Sequence, residues 1–132
     1  MNFNEAKTLV QEMNLRLDHN GLVPAIIQDS ASGDVLMLGY MSTESLAISL
    51  AEGRTCFWSR GRQILWRKGE TSGHKQVVSS IALDCDRDTV LVSVEQTGAA
   101  CHNGSRSCFE ETIELATDET ESNDQPNKEV QK

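Results

Sequence analysis

Apolar positions follow a helical spacing in two parts of the chain. From Ala6 to Leu17 they recur every three or four residues, which predicts an amphipathic helix. A second, shorter apolar face follows Ser42, a residue type that commonly caps a helix N-terminus. Gly53 stands where a C-cap glycine belongs, so the pattern predicts two helices.

Other segments alternate apolar and polar positions or are rich in β-branched residues, as is typical of strands. These segments cover residues 22–28, 35–40, 55–58, 77–85 and 89–94. Pro24 lacks the backbone N–H of a central strand, which places the first of them at a sheet edge or a strand start. About five strands and two helices predict one α+β domain.

Charge divides the chain into a balanced body and an acidic end. The 132 residues include 20 acidic and 12 basic side chains, a net charge of −8, which argues against a general nucleic-acid binder. Eight of the acids and two of the bases lie in residues 110–132. We therefore assign residues 1–116 to the folded domain and expect residues 117–132 to form an acidic, disordered tail.

The chain contains no apolar run of bilayer length and no signal-peptide pattern. We therefore expect a soluble, cytoplasmic protein with no membrane partner. In that compartment its four cysteines are expected to be thiols or metal ligands rather than disulfides.

Three of the cysteines form a candidate metal site. Cys56 lies in a predicted strand and is assigned to the core, which leaves Cys85, Cys101 and Cys108. Three thiolates can hold zinc and leave a fourth position open, as catalytic zinc sites do. Cysteine is also a small residue that packs well in cores, and the spacing leaves both interpretations open.

A second candidate is the run Asp84-Cys85-Asp86-Arg87-Asp88. In an extended segment its three carboxylates share one face, where they suit Mg²⁺ or Ca²⁺. Cys85 then points to the opposite face, so a thiolate site and a carboxylate site would lie back to back. The alternative is a solvated hairpin turn, in which aspartate is common.

A basic run is the third candidate. Residues 54–75 hold six basic side chains and one acid, with Trp58 and Trp66 interleaved. Guanidinium groups bind phosphate and Trp offers a stacking face, so the run fits a phosphorylated ligand or a single-stranded nucleic acid. It also fits a solvated surface hairpin. His74 and His102 stand beside small or polar residues rather than on apolar stripes, which favours a functional role.

Long stretches of the chain resemble one enzyme family. They are FWSRGRQILWRKGETSGH at 57–74, DCDRD at 84–88, GAACHNG at 98–104 and SCF at 107–109. Their order and spacing closely resemble the signature of phosphoribosyl-AMP cyclohydrolase. Gly61 and Asn103 depart mildly from the pattern, where serine and threonine are expected.

This resemblance implies an activity, a fold and two metals. The family hydrolyses the N1–C6 bond of the adenine ring in 1-(5-phosphoribosyl)-AMP, the third step of histidine biosynthesis. The resemblance also implies a homodimer in which each chain forms a pseudo-barrel of mixed strands. By resemblance, zinc falls on Cys85, Cys101 and Cys108, with Cys85 from one chain and the other two from its partner. Magnesium falls on Asp84, Asp86 and Asp88.

The chemistry of ring opening assigns roles to the remaining residues. A base must take a proton from water and an acid must return one to the departing nitrogen. His74 and His102 are the candidates, in either order. The candidate substrate-binding residues are Trp58, Arg60, Arg62, Trp66, Arg67, Lys68, Glu70, Thr71 and Ser72.

Two other functions compete with this interpretation. A zinc nucleoside deaminase requires an H-x-E and a P-C-x-x-C motif, and the sequence has neither. A zinc-stabilised module that binds a nucleotide or nucleic acid without catalysis requires a closed four-ligand site. We expect the enzyme, with a small substrate and no nucleic-acid partner.

Overall fold

The computed structural model describes residues 1–116, which form two helices and six strands. In chain order they are α1 (Phe3–Met13), β1 (Leu22–Asp29), β2 (Val35–Ser42), α2 (Thr43–Glu52), β3 (Cys56–Ser59), β4 (Ile64–Arg67), β5 (Gln76–Leu83) and β6 (Val90–Gln96). The predicted α+β class is confirmed. The predicted acidic tail, residues 117–132, lies outside the described residues.

The strands form two separate sheets. One has four strands in the order β2-β1-β6-β5, with β1 and β6 parallel and the other pairs antiparallel. The other is the β3–β4 hairpin. Residues 1–116 form no closed barrel, so the expected pseudo-barrel of about five strands is corrected to six strands in two sheets. The extra strand is β4, which is short and lies within the basic run.

Local capping chemistry sets the ends of both helices. Asn2 and Glu5 form a capping box at the start of α1, which ends at Asn14 in the left-handed conformation, before the predicted Leu17. Ser42 caps α2 and Gly53, at φ +74°, ends it, as predicted. Within residues 1–116, neither helix has the length and apolar character needed to cross a bilayer.

Pro24 lies in an interior strand rather than at an edge of the sheet. Strand β1 pairs with β2 on one side and with β6 on the other. The β6 ladder begins at Ala25, one residue after Pro24, so the missing N–H falls where β1 still has a single neighbour. The proline therefore marks where parallel pairing starts.

One face of the four-stranded sheet carries the core. Alternate β1 side chains Val23, Ala25 and Ile27 are fully buried in a cluster that both helices and β3 complete. The opposite face carries a cross-strand apolar row of Leu38, Ile26, Leu91 and Ala82, which we call the open sheet face. Leu38 is 44% exposed and Leu91 is 38% exposed, so this row lacks a covering layer in the described chain.

Candidate active site

A cleft of about 360 Å³ brings together most of the residues that the sequence analysis selected. One wall comes from the end of β4 and the turn after it, residues 66–74, and the other from the loop after β6. Nine predicted site residues line it: Trp66, Arg67, Lys68, Glu70, Thr71, Ser72, His74, Cys101 and His102.

Two glycines allow the walls to approach each other. Gly69, at φ +79°, starts a tight turn in which its carbonyl accepts the Gly73 N–H at 2.8 Å; a Cβ there would lie 2.5 Å from the His74 carbonyl carbon. Gly98, at φ +70°, lies against the His74 ring, and a Cβ there would lie 2.7 Å from His74 Cδ2. No other residue fits at either position without displacing His74.

The two histidines reach the cleft from opposite walls. His74 is half-buried and His102 is exposed. The His74 backbone N–H donates to Ser72 Oγ at 3.1 Å, which fixes the end of the turn. Both histidines line the same cleft, so the cleft can supply one base and one acid.

Lys68 is buried in the cleft wall rather than extended into solvent. It is 7% exposed, and its ammonium donates a short hydrogen bond to the Ala100 carbonyl. The same ammonium lies 5.1 Å from the centroid of the Trp66 ring. Burial lowers the pKa of Lys68, while the charges of Cys108 and Cys101 act in the opposite direction.

Arg67 is held at the rim of the cleft by a two-point ion pair. Its Nε and Nη2 donate to the Glu52 carboxylate at 3.0 and 2.9 Å. The hydrogen bond from Arg67 lowers the pKa of Glu52, and the same bond raises the pKa of Arg67. The guanidinium is therefore preorganised beside the cleft.

Two of the three predicted zinc ligands adjoin. Partial burial, the hydrogen bond to Cys101 and the charge of Cys101 raise the pKa of the Cys108 thiol. Cys85 lies apart, in the turn between β5 and β6. Across residues 1–116, no group of three or more His, Cys, Asp or Glu side chains is placed to hold a metal ion. A single chain thus supplies an adjoining thiol pair and not a three-thiol site.

The DCDRD run is a turn, the alternative that the sequence left open, and not the extended segment on which the back-to-back geometry depended. Its Arg87 has a left-handed φ of 61° and its N–H donates to the Asp84 carbonyl at 3.0 Å. Cys85 Sγ therefore does not point away from the carboxylates but donates to Asp86 Oδ1 at 3.5 Å. That hydrogen bond and the nearby acidic charges raise the pKa of Cys85. The hydrogen bond and charge of Asp84 likewise raise the pKa of Asp88.

Three predicted substrate contacts lie outside the cleft. Trp58 and Arg60 line a second cavity of about 540 Å³ beside the start of α2. The Arg60 guanidinium stacks on Tyr40, 3.8 Å from the ring centroid. Arg62 is exposed in the β3–β4 turn.

Sequence reasoning missed three residues that position the cleft. No local pattern assigns a role to Glu52, or to Ala100 within the 98–104 motif, because the partner of each lies 15 or 32 residues away along the chain. Gly98 does carry one, since a glycine beside a candidate histidine loop often marks a close backbone approach.

Comparisons with known proteins bear directly on this cleft. The family model described as "Phosphoribosyl-AMP cyclohydrolase" matches residues 37–110, which include every residue that lines the cleft. A phosphoribosyl-AMP cyclohydrolase of Bifidobacterium adolescentis is 54% identical over 115 residues, covering 86% of this chain and 85% of the relative.

Two further relatives with the same name agree. The one from Streptomyces griseus is 59% identical over 96 residues, covering 73% of this chain and 77% of the relative. The one from Clostridium botulinum is 53% identical over 107 residues, covering 79% of this chain and 97% of the relative. Together with the family model, these matches show that the chain belongs to the phosphoribosyl-AMP cyclohydrolase family.

Proposed function

We propose that this chain hydrolyses the N1–C6 bond of 1-(5-phosphoribosyl)-AMP in the third step of histidine biosynthesis. The observation that carries the proposal is the cleft, which gathers both candidate histidines and Cys101 in about 360 Å³. That volume suits a small molecule rather than a nucleic-acid strand. The names of its relatives support the same substrate.

The reaction needs a base that removes protons from water and an acid that delivers one to N1. Water forms a bond to C6 and loses both protons as C6 becomes a carboxamide carbon; the C6–N1 bond breaks, N1 keeps the electron pair and takes one proton, and the other is released with the positive charge of the substrate. N1 bears the second ribosyl group and is positively charged in the substrate, which makes C6 electrophilic. His74 and His102 flank the cleft and act as base and acid, in an order that the geometry leaves open.

Zinc is proposed as the metal for the thiols. Cys101 and Cys108 supply an adjoining pair of soft ligands, the donor type that zinc prefers. The third ligand is Cys85 from a second chain. When bound, the ion would act as a Lewis acid and lower the pKa of a coordinated water toward neutrality.

Magnesium is proposed for the β5–β6 turn. Asp84 and Asp88 lie so close that Asp84 raises the pKa of Asp88, and Asp86, two residues from each, would have to move toward this pair to complete a three-carboxylate site. A divalent cation would relieve this repulsion, and carboxylate oxygens are the ligands that Mg²⁺ takes. In a dimer that brings this turn to the cleft of the second chain, the cation would also help to neutralise the two phosphates of the substrate, together with Arg67 at the rim of that cleft.

We also propose a homodimer in which two chains share the zinc site. Two features of the described chain support it: Cys85 lies apart from the other two thiols, and the open sheet face exposes Leu38 and Leu91. An exposed cross-strand apolar row is typical of a surface that another molecule covers. The proposal includes a cytoplasmic location, because the thiol ligands require a reducing compartment.

A turnover assay with and without a zinc chelator tests the function. We expect ring opening of phosphoribosyl-AMP, followed by ultraviolet absorbance, in zinc-loaded protein, and its loss after chelation with recovery when zinc is restored. Substrate that binds to the metal-loaded protein without being converted would favour the non-catalytic binding module instead. Activity that survives complete removal of zinc would contradict the zinc dependence alone.

A further inference from the structure

Lys68 is the one lysine that the structure buries within residues 1–116, and its position differs from that of a phosphate contact. Lysine is almost never fully buried unless it is paired. Its ammonium has three donors, one of which bonds the Ala100 carbonyl, and the Trp66 ring centroid lies 5.1 Å from the nitrogen. A substrate phosphate would have to share this buried ammonium with the Ala100 carbonyl.

The Lys68 hydrogen bond joins the two walls of the cleft. It connects the residue after β4 to the backbone of the loop after β6, a separation of 32 residues along the chain. Ala100 is 1% exposed and its own N–H donates to the Arg106 carbonyl at 3.1 Å. Both its carbonyl and its N–H are therefore held by hydrogen bonds. Cys101 and His102 follow directly.

We propose that Lys68 is a positioning residue, whose buried ammonium anchors the loop of residues 98–104 and thereby places Cys101 and His102 in the cleft. The proposal rests on the proposed function for its catalytic consequence but not for the anchoring itself. The ammonium also lies near enough to Cys101 and Cys108 for charge interaction, so it offsets the negative charge that two thiolate ligands would carry.

Steady-state kinetics of Lys68→Met separate positioning from phosphate binding. Methionine keeps the apolar stem and length but removes the donor and the charge. We expect kcat to fall about 100-fold, as small displacements of catalytic groups do, while KM changes less than about threefold. A large rise in KM with kcat retained would identify Lys68 as a phosphate contact and overturn the proposal.

Amide hydrogen exchange of the metal-free chain tests the anchor without any turnover. The amides of Ala100, Cys101 and Gly104 donate to carbonyls of the loop or of the two residues after it. In Lys68→Met we expect them to exchange about tenfold faster, since a hydrogen bond to a charged group has been lost, while amides of β1 keep their rates. Unchanged loop exchange would overturn the proposal even if activity fell.

Lys7→Met is the matched control. Lys7 also faces an aromatic ring, with its Nζ 5.6 Å from the Phe3 centroid, but it is exposed on α1. It should keep both the activity and the loop exchange rates. A Lys68→Met chain that fails to fold would show a global structural role and would also contradict the proposal. If the wild-type chain shows no turnover but Lys68→Met still speeds the exchange of the loop amides, the proposed function is rejected and the anchoring role of Lys68 stands.

Discussion

At the scale of single residues, the cleft depends on close packing between a backbone and an imidazole. The half-buried His74 ring rests on Gly98, whose missing side chain leaves the space that the ring occupies. Gly98 also has a φ of +70°, a conformation that costs other residues about 1 kcal/mol. The position of the His74 ring therefore depends on the lack of a Cβ atom at Gly98.

Gly98→Ala should move His74. The added Cβ would lie 2.7 Å from His74 Cδ2, so the ring must shift. We expect kcat to fall about 100-fold and the free energy of unfolding to fall by about 1–2 kcal/mol. Enzyme kinetics and chemical denaturation measure the two effects.

Gly21→Ala is the control for backbone strain. Gly21 has a similar φ of +78°, but a Cβ there has no atom within 4 Å. It should lose comparable stability and keep its activity. Equal losses of activity in both variants would show that strain, and not displacement of His74, explains the effect.

At the scale of elements, the β5–β6 turn is tied to the end of α1. Arg87 Nη1 donates to the Met13 carbonyl at 2.6 Å, and the Arg87 carbonyl accepts the Arg16 N–H at 2.7 Å. The guanidinium is thus directed to the helix end rather than to the neighbouring carboxylates. Helix α1 lies outside residues 37–110, which the family model matches, yet it supports the turn that carries Cys85.

Asp88→Asn should separate stability from function at this turn. Asp84 raises the pKa of Asp88, so the two carboxylates repel when both are ionised in the metal-free chain. Removing one charge should raise the melting temperature of the metal-free protein and weaken activation by Mg²⁺. Calorimetry and a magnesium titration of activity measure these effects, and a lower melting temperature would contradict the repulsion.

The elements that the sequence predicted well are those whose signal is local. Helix α2 follows from Ser42 and Gly53, because each cap acts on its own helix end. Strand β4 was missed because its residues, Ile64–Arg67, are few and partly charged, and their pairing with β3 sets the structure. The prediction that Cys85 opposes the carboxylates was wrong because it assumed an extended chain where Arg87 turns it.

In the site, too, the sequence predicted which residue types take part but not which residues they contact. The sequence selected Arg67 and Lys68 alike as cations for phosphate, from residue type alone. Their partners, Glu52 and Ala100, depend on how the β3–β4 hairpin packs against α2 and the loop after β6, which no local pattern encodes. His74 and His102 were selected by their small or polar neighbours and Cys101 as one of three candidate thiol ligands, and the structure places all three residues in one cleft.

At the scale of the whole molecule, the described chain has an incomplete thiol set and an uncovered sheet face. The proposed association of two chains would account for both features. A symmetric dimer would form two identical zinc sites, each with Cys85 of one chain and the Cys101–Cys108 pair of the other.

Complementation between two inactive variants tests this sharing. Cys85→Ala and Cys101→Ala should each be inactive alone, because each breaks both sites of its homodimer. Co-expressed in equal amounts, they should recover about a quarter of wild-type activity, since half of the dimers then contain one intact site. The control pairs Cys85→Ala with the Cys85→Ala/Cys101→Ala double variant and should stay inactive. No recovery in a mixture shown to contain heterodimers would contradict the shared site.

The most direct test of the central claim is to follow the oxygen of water into the product. The zinc-loaded protein would be incubated with phosphoribosyl-AMP in ¹⁸O-labelled water and the product analysed by mass spectrometry. The account predicts a product one water heavier than the substrate, with one ¹⁸O in the new carboxamide at C6 and no ammonia released. Unchanged substrate, or a product that keeps the purine ring and has lost ammonia, would contradict it.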